Sequence, residues 1–447
     1  MAAGITAAAY VLAALGKNST MPASIVPFLV ALLTLLLLAH VAMRFLAKGA
    51  DSTLLPLAVL LNGLGYVMIA RLSDERAAAQ TTWTLVGIGA FVGTLFLVPR
   101  AADLVGRKWT FLSVGAGLLV LPLVPGLGTS VGGARIWVSL GPITFQPGEF
   151  AKVALALFFA AFLDETRAAF RSNDRRVGRL AIPDQKMLLP VGAAWAFAVA
   201  VMVAEKDLGS ALLFFTLFTV MLWVATEQSF FLILGLVLFS VAAFLAHRLF
   251  AVVQTRVDVW IDPWSRYEGR GYQPAQAMFA FANGGTAGTG LGMGSPNKIP
   301  AASTDFIFAA IGEEMGILGA TAILVAFVLL IGSGLRIAIN TDRAFEKLLA
   351  TGLTTILGMQ AFIITGGVLR VIPLTGITLP FVSYGGSSLV ANYVLLALLI
   401  RLSDTVAIRR LEMPAYVAPV ERLRRWRERS GGGGGVTSGE AAGRVRA

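Results

Sequence analysis

The stretch DFIFAAIGEEMGILGATAILVAFVLLIGSG, residues 305–334, is long and apolar enough to cross a lipid bilayer. The hydrocarbon core of a bilayer is about 30 Å thick, and a helix of about 20 apolar residues spans it. The stretch nevertheless has an aspartate at its polar edge, Asp305, and two glutamates inside it, Glu313 and Glu314. Acids at this depth are costly unless they are paired or face a polar cavity. The same residues therefore indicate both the fold class and a candidate site.

Apolar runs of this kind recur along almost the whole chain, in which 57% of the 447 residues are hydrophobic. About twelve of them are long enough to span a bilayer. They lie near residues 1–16, 25–46, 54–70, 82–98, 109–125, 148–163, 187–204, 208–226, 229–249, 305–334, 346–369 and 386–402. The first run has no basic segment before it, so it is interpreted as a span and not as a signal peptide. The pattern predicts an all-α polytopic membrane protein of about twelve transmembrane helices.

Basic residues predict how the chain is oriented. If the N-terminus is inside, most Lys and Arg fall in the inside segments, such as Arg100, Arg107 and Lys108, and few fall outside. This is the positive-inside pattern, and it predicts that both termini are cytoplasmic. Topology accounts for much of the net charge of +11, so nucleic acid is not expected as a partner. Residues 406–447 form a basic, glycine-rich tail that is predicted to be partly disordered.

The chain has no cysteine and only two histidines, His40 and His247, which are far apart in sequence. Disulfides, thiolate metal sites and cysteine nucleophiles are therefore excluded. The histidine spacing does not match that of a zinc site, and a serine–histidine–acid triad is not expected.

Three polar segments, 128–152, 250–304 and 370–388, fall on the outside and are too polar or too rich in turn residues to be simple connections. Loops longer than about 15 residues in a compact protein are usually functional or disordered. The largest segment, 250–304, is a long extracytoplasmic loop directly before the span 305–334. Because all three lie on one side of the membrane, we expect them to form one shared site there.

Two groups of charged residues are candidates for that site. Pro147 suits the first turn of a helix, which places Glu149 and Lys152 three residues apart on one helix face. They could form a self-neutralising structural pair or a cavity wall for an anionic ligand, and we favour a pair that also faces the cavity. Asp207, beside Lys206, could be a helix cap or a site residue.

Two glycine-containing stretches could also bind phosphate groups. GTGLGMG, residues 288–294, has the composition of a phosphate-binding loop, but no strand precedes it, so a flexible loop is the better interpretation. SYGGSS, residues 383–388, could bind an anion through backbone amides or simply begin the following helix. The sequence leaves that second choice open.

Five stretches of the chain resemble, in order, motifs of the SEDS family (shape, elongation, division and sporulation). They are GARIW…FQPGEFAK, KDLGSALL, GYQPAQAMFAFANGG…GTGLG, STDFIFAAIGEEMG and PLTGITLPFVSYGGSS. The resemblance covers residues 54–405, and the family typically has ten spans. It therefore implies a ten-helix core in 51–405 and two additional transmembrane helices in 1–50. Because all matched motifs follow those two helices, we predict that they are dispensable for chemistry.

The resemblance implies a peptidoglycan glycosyltransferase that polymerises lipid II at the outer face of the bacterial cytoplasmic membrane. It also implies a class B penicillin-binding transpeptidase as a partner, together with other elongation or division proteins. The family's catalytic aspartate falls on Asp305. The residues expected to contact substrate are Arg135, Gln146, Glu149, Lys152, Lys206, Asp207, Tyr272, Gln276, Lys298, Ser383, Tyr384 and Ser387.

Some positions depart from the family pattern. Relatives often read Leu-Pro-Glu-x-His-Thr-Asp up to the aspartate, whereas residues 299–305 here read IPAASTD, so Ala301 replaces a second acid. Arg135 lies one place earlier than the family's arginine. The sequence LTG at residues 374–376 lacks the lysine that is typical of the division branch, which favours a role in cell elongation.

The reaction that the resemblance implies is an inverting displacement that releases undecaprenyl pyrophosphate. Because pyrophosphate leaves without protonation, one base on the acceptor hydroxyl can suffice, unlike the two carboxyl groups of most glycosidases. Cations must balance the leaving group. Lys152, Lys206, Arg256 and Lys298 are candidates, and a divalent cation, Mg²⁺ or Mn²⁺, could assist. A flippase or transporter of the lipid-linked precursor and a non-catalytic membrane scaffold are the alternative functions.

The two glutamates need a separate explanation. Glu313 would lie about 12 Å along a helix from Asp305, at a rise of 1.5 Å per residue. That distance is too long for a shared proton transfer. Glu313 and Glu314 could line the same polar tunnel or bind partners on neighbouring helices, and the sequence does not choose between these roles.

Overall fold

The computed structural model describes residues 1–19, 25–131, 134–141, 143–172, 175–177, 180–182 and 185–412. The predicted tail beyond residue 412 lies outside the described residues. The helices within them are α1 (Ala2–Asn18), α2 (Ile25–Leu46), α3 (Leu54–Leu72), α4 (Asp74–Leu97), α5 (Lys108–Val120), α6 (Pro147–Ser172), α7 (Gln185–Ala204), α8 (Leu208–Thr226), α9 (Phe230–Leu249), α10 (Ala251–Ile261), α11 (Tyr272–Gly284), α12 (Ile307–Ile339), α13 (Ala344–Val368) and α14 (Gly386–Glu412).

Each of the predicted apolar runs coincides with one of these helices. Among the described residues, eight helices are long and apolar enough to cross a membrane, and shorter apolar helices occupy Ala2–Lys17, Val30–Leu46 and Gly192–Ala204. The remaining run is the buried α6, which begins at Pro147 as predicted. The prediction of an all-α polytopic membrane protein is thus confirmed for the apolar part of the chain.

The predicted outer segments contain more regular structure than the sequence analysis anticipated. The first segment forms an antiparallel sheet of β1 (Gly128–Val131), β2 (Ala134–Leu140) and β3 (Ile143–Phe145), in that order. β2 carries β-branched and aromatic residues that favour a strand. Apart from these three segments, a second antiparallel pair, β4 (Arg175–Val177) with β5 (Leu180–Ile182), lies between α6 and α7. The largest segment, predicted as a loop, contains α10 and α11.

Helices α13 and α14 lie in the centre of the bundle, whereas α9 lies at its edge. The most apolar stretches of α13 and α14 are 78% and 83% buried, whereas that of α9 is 11% buried. Arg401 on α14 is buried and donates hydrogen bonds to the backbone carbonyls of Leu46, Leu95 and Val98. These carbonyls belong to the C-terminal ends of α2 and α4, where helices lack internal donors. One side chain therefore joins the ends of two helices to the centre of the bundle.

Helix α12 is broken at Gly316, which has φ 66° and ψ −169°. The amides that the break frees are satisfied elsewhere: Ile317 N donates to Gly285 O and Leu318 N to Thr286 O. The break leaves a buried segment, residues 307–315, that we call the half-helix. Asp305 lies just before it, and residues 285–295, which we call the glycine loop, pack against its far end.

Candidate active site

A cavity of about 510 Å³ lies in front of the half-helix. Most of its walls come from α10, from α11 and the segment before it, and from the end of α13 and the segment after it, while β2 and the α7–α8 connection contribute one residue each. The lining residues are Ala134, Lys206, Val252, Thr255, Arg256, Val259, Trp260, Arg270, Gln273, Pro274, Asp305, Gly367, Arg370, Leu374 and Gly376. Asp305 is the one carboxylate in this lining, and it shares the cavity with four cations.

The charge balance of the cavity favours anionic ligands. Lys206, Arg256, Arg270 and Arg370 outnumber Asp305, so the lining carries a net positive charge. Burial raises the pKa of Asp305 to about 6, although the nearby Arg256 and a hydrogen bond from Thr304 oppose the shift. Burial also lowers the pKa of Arg256, against the favourable field of Asp207 and Asp305. The cavity thus combines an ionisable carboxyl of raised pKa with excess positive charge, a combination common at reaction centres.

The turn that carries Asp305 is fixed by the segment between α13 and α14. The Ser383 hydroxyl donates to Thr304 O at 2.6 Å, and Tyr384 N donates to Ser303 O at 2.8 Å. Phe306, not Asp305, occupies the N-cap position of α12, and no side chain caps that helix end. Asp305 therefore does not act as a helix cap, and its carboxylate is available to the cavity.

Reciprocal hydrogen bonds hold α10 across the cavity. Arg256 donates from Nη1 to Thr375 O at 3.1 Å. Trp260 Nε1 donates to Arg370 O at 2.9 Å, while Arg370 Nη2 donates to Trp260 O at 2.7 Å and to Ile261 O at 3.1 Å. These bonds use part of each guanidinium group and orient both arginines toward the cavity.

Of the residues predicted from sequence to contact substrate, Lys206 lines the cavity with Asp305. Asp207 is buried, and its Oδ1 accepts a hydrogen bond from Ser210 N at 3.0 Å, so it caps α8 as the alternative interpretation stated. Ser383 and Tyr384 support the Asp305 turn from outside the cavity lining. SYGGSS begins α14 at Gly386, which agrees with the helix-start interpretation.

Glu149 and Lys152 form the predicted ion pair at 2.8 Å, with both side chains buried. They do not belong to the cavity lining, so their contact with substrate remains a prediction. Gln146 N donates to the Ser387 hydroxyl at 2.9 Å, which joins the start of α6 to α14.

The remaining predicted contacts lie outside the cavity lining. Gln276 Nε2 donates to the Tyr267 hydroxyl, and the Tyr272 ring packs on the Tyr267 ring. Arg135 reaches Val124 O at 3.3 Å, and Lys298 is exposed in a 3₁₀ turn. Local partners hold Gln276, Tyr272 and Arg135. Contact of these residues and of Lys298 with substrate also remains a prediction.

Sequence reasoning missed Arg270, Gln273 and Arg370, and it named Arg256 only as one of several candidate cations. The signal that could have identified these arginines is their position in segments predicted to be outer, against the positive-inside trend. Basic residues in a predicted outer segment are unusual and indicate a local function, such as lining this cavity.

Glu313 and Glu314 bind the glycine loop and do not line the cavity. Glu314 Oε2 accepts from Gly292 N at 2.8 Å, and Glu313 Oε1 accepts from Ser295 N at 3.1 Å. The backbone carbonyls of both glutamates accept from Thr289 N and Gly290 N. These loop amides are already engaged, so they are not available to cradle a phosphate, which agrees with the interpretation as a loop; its flexibility remains a prediction.

Comparison with known proteins identifies the family. The model of the FtsW/RodA/SpoVE cell cycle proteins matches residues 52–407. The chain belongs to this family. It is 43% identical to the peptidoglycan glycosyltransferase RodA of Mycobacterium tuberculosis over 90% of its own length and 88% of that protein. It is 32% identical to a probable peptidoglycan glycosyltransferase FtsW of Geobacter sulfurreducens, over 61% of this chain and 70% of that one.

Solved structures of family members share the fold. A chain of a peptidoglycan synthase complex that coordinates polymerization and crosslinking superimposes with a TM-score of 0.66 at 27% identity, covering 80% of this chain and 98% of that one. The rod-shape-determining protein RodA of Thermus thermophilus gives a TM-score of 0.56 at 25% identity, covering 79% of this chain and 96% of that one. The resemblance found in the sequence motifs is thereby confirmed, and the chain is a multi-pass membrane protein of this family.

Proposed function

We propose that this chain is a peptidoglycan glycosyltransferase that polymerises lipid II into glycan strands. The observation that carries the proposal is the single carboxylate, Asp305, in a cavity of about 510 Å³ that it shares with four cationic side chains. A base facing excess positive charge suits attack on a donor whose leaving group is anionic. The similarity to RodA glycosyltransferases over most of the chain supports the same activity.

In the reaction, Asp305 takes the proton from the sugar hydroxyl of the acceptor. The hydroxyl oxygen forms the new bond to the anomeric carbon of the donor, and the bond from that carbon to the pyrophosphate breaks with inversion. The electron pair leaves on undecaprenyl pyrophosphate. Lys206, Arg256, Arg270 and Arg370 balance the charge that develops there, which preorganised cations do at little reorganisation cost.

A second acid is not required by this reaction. In glycosidases one carboxyl group protonates a poor leaving group, whereas pyrophosphate departs as a stable anion. Ala301, where relatives often have glutamate, adopts a left-handed conformation with φ 57° and contributes its carbonyl to the turn before Asp305. Ala301 therefore has a structural role: it shapes the turn that carries Asp305.

A divalent cation would fit this site if it binds together with the pyrophosphate of the substrate. Mg²⁺ commonly binds through one or two carboxylates together with substrate phosphates. Asp305 is the lining carboxylate that could hold Mg²⁺ or Mn²⁺, and the described residues include no cluster of three acids or histidines that would hold a metal alone. When bound, such a cation would add positive charge beside the pyrophosphate.

The cellular setting of the proposed reaction follows from the family and the charge pattern. We propose that the active site faces the outside of the bacterial cytoplasmic membrane, with both termini in the cytoplasm. The similar chain from a complex that couples polymerization to crosslinking supports a class B penicillin-binding transpeptidase as partner. The missing lysine at residues 374–376 and the similarity to RodA favour a role in elongation.

Purified full-length chain, incubated with labelled lipid II in detergent, tests the function. We expect ladders of glycan polymer on a gel. The same protein in liposomes distinguishes the alternative function: movement of labelled lipid II across the bilayer without polymer would identify a flippase and overturn the proposal.

The pH dependence of glycan synthesis reports the ionisation of Asp305. The base form exists above its pKa, so we expect kcat/KM to fall as the pH drops through about 6. Arg256 favours the charged carboxylate, so Arg256→Gln should raise the pKa of Asp305 and move the acid limb to higher pH. Arg248→Gln, at an exposed arginine outside the cavity, is the control that should leave the limb in place. An acid limb that Arg256→Gln leaves unchanged would contradict this assignment.

A further inference from the structure

Helix α1 lies outside the residues that the family model matches, yet its backbone touches the glycine loop. A Cβ atom added at Gly16 would lie 2.1 Å from Leu291 O, closer than real contacts allow. From the other side, a Cβ added at Gly292 would lie 2.2 Å from Ala13 O, and Gly292 has a left-handed φ of 82°. The two backbones approach so closely that neither position has room for a methyl group.

Helix α1 also packs closely against α3 in the core. A Cβ added at Gly63 of α3 would lie 2.0 Å from Thr6 Oγ1, so the Thr6 side chain of α1 packs directly against the backbone of α3. Ala9 and Ala13 are buried, and the rings of Tyr10 and Tyr66 pack against each other. Small residues that allow such close approach are typical of helix packing in membranes.

The glycine loop, which contacts α1, also binds the half-helix. Gly292 N donates to Glu314 Oε2 at 2.8 Å, and Arg71 of α3 binds Glu314 Oε1 at 3.1 Å and Gly294 O at 3.0 Å. Glu314 is almost fully buried near the C-terminal end of the half-helix. The other end of the half-helix carries the turn of Asp305. The position of the Asp305 carboxylate therefore depends on the glycine loop, and α1 packs against that loop.

We propose that α1 is a positioning element of the active site: Gly16 seats α1 on the glycine loop, which through Glu314 fixes the half-helix and the carboxylate of Asp305. This inference rests on the proposed function, since its first readout is glycan synthesis. It is an alternative to the expectation, drawn from sequence, that the N-terminal helices are dispensable for chemistry; that expectation stays a prediction, and the experiment below decides between the two.

The test compares Gly16→Val with Gly4→Val in the full chain. Both substitutions lie on α1, but a side chain at Gly4 would meet no atom within 4 Å. Misplacement of a catalytic group by about 1 Å can lower the rate by about 100-fold. We expect Gly16→Val to reduce kcat by about 10- to 100-fold with KM for lipid II little changed. Gly4→Val should match the wild type.

The outcomes separate this inference from the proposed function. If the wild-type chain makes no glycan from lipid II, the proposed function fails first. If the wild type is active and a folded Gly16→Val protein has the same kcat, or has only a raised KM, the positioning role is overturned. A melting temperature close to wild type, measured alongside, ensures that a loss of kcat is not a loss of fold.

Hydrogen–deuterium exchange provides a readout that does not need activity. In Gly16→Ala, whose single methyl also cannot fit, we expect faster exchange of the amides of Thr289, Gly290 and Gly292. The amides of α13 should exchange as in the wild type. Unchanged exchange in the glycine loop would overturn the proposal even if Gly16→Val proved too unstable to assay.

Discussion

Asp305→Asn should leave the chain folded while glycan synthesis falls by about 10²- to 10⁴-fold, the usual contribution of a general base. Asparagine has nearly the shape of aspartate, but it cannot accept a proton at neutral pH. The turn itself should persist, because Ser383 and Tyr384 hold it through the backbone carbonyls of Thr304 and Ser303. Polymer yield from labelled lipid II and the melting temperature in detergent measure the two effects.

Asp262→Asn is the matched control for that experiment. Asp262 lies in the predicted outer segment 250–304, just before Asp305; it is exposed and accepts hydrogen bonds from the amides of Trp264 and Ser265, which asparagine can also accept. Asp262 does not line the cavity, so the activity of Asp262→Asn should equal that of the wild type. Near-normal polymerisation by a well-folded Asp305→Asn protein would remove Asp305 from the reaction.

Neutralising either member of the Glu149–Lys152 pair should cost stability on the order of 3–5 kcal/mol, since it leaves a buried charge without its partner. Both side chains are about 95% buried, at 5% and 4% exposure, so solvent does little to screen the remaining charge. Replacing both residues, as Glu149→Gln with Lys152→Met, should cost less than either single change. Thermal unfolding of the four proteins in detergent gives the coupling energy.

The pair Lys108–Glu165 is the control for the buried pair. Its side chains are 18% and 62% exposed, and pairs in contact with solvent contribute about 0–1 kcal/mol. Additive losses of stability at Glu149 and Lys152 would show that the two do not interact. A folded double variant that makes no glycan would support the substrate contact predicted for them.

The apolar runs predicted where the helices lie, because the length and composition needed to cross a bilayer are strong local signals. The motif around Asp305 was equally informative, since the half-helix follows it directly. The cavity was less accessible to prediction. Its cations come from the α7–α8 connection, from α10, from the α10–α11 connection and from the segment after α13, and sequence spacing does not reveal that these segments meet.

The break at Gly316 could not be read from sequence either. Several other glycines lie inside regular helices, for example Gly352 in α13. Gly316 differs because the glycine loop fills the space beside it and accepts the amides that the break frees. The roles of Glu313 and Glu314 depend on the same tertiary arrangement, so local sequence left them open.

Arg401 bears on the order in which the chain is assembled in the membrane. The carbonyls of Leu46, Leu95 and Val98 are synthesised early, but their donor lies on α14, 303 to 355 residues later. Until α14 is inserted, the ends of α2 and α4 must hydrogen-bond to water or to lipid headgroups instead. These hydrogen bonds can therefore form only near the end of translation, and a chain truncated before α14 would leave those carbonyls without this donor.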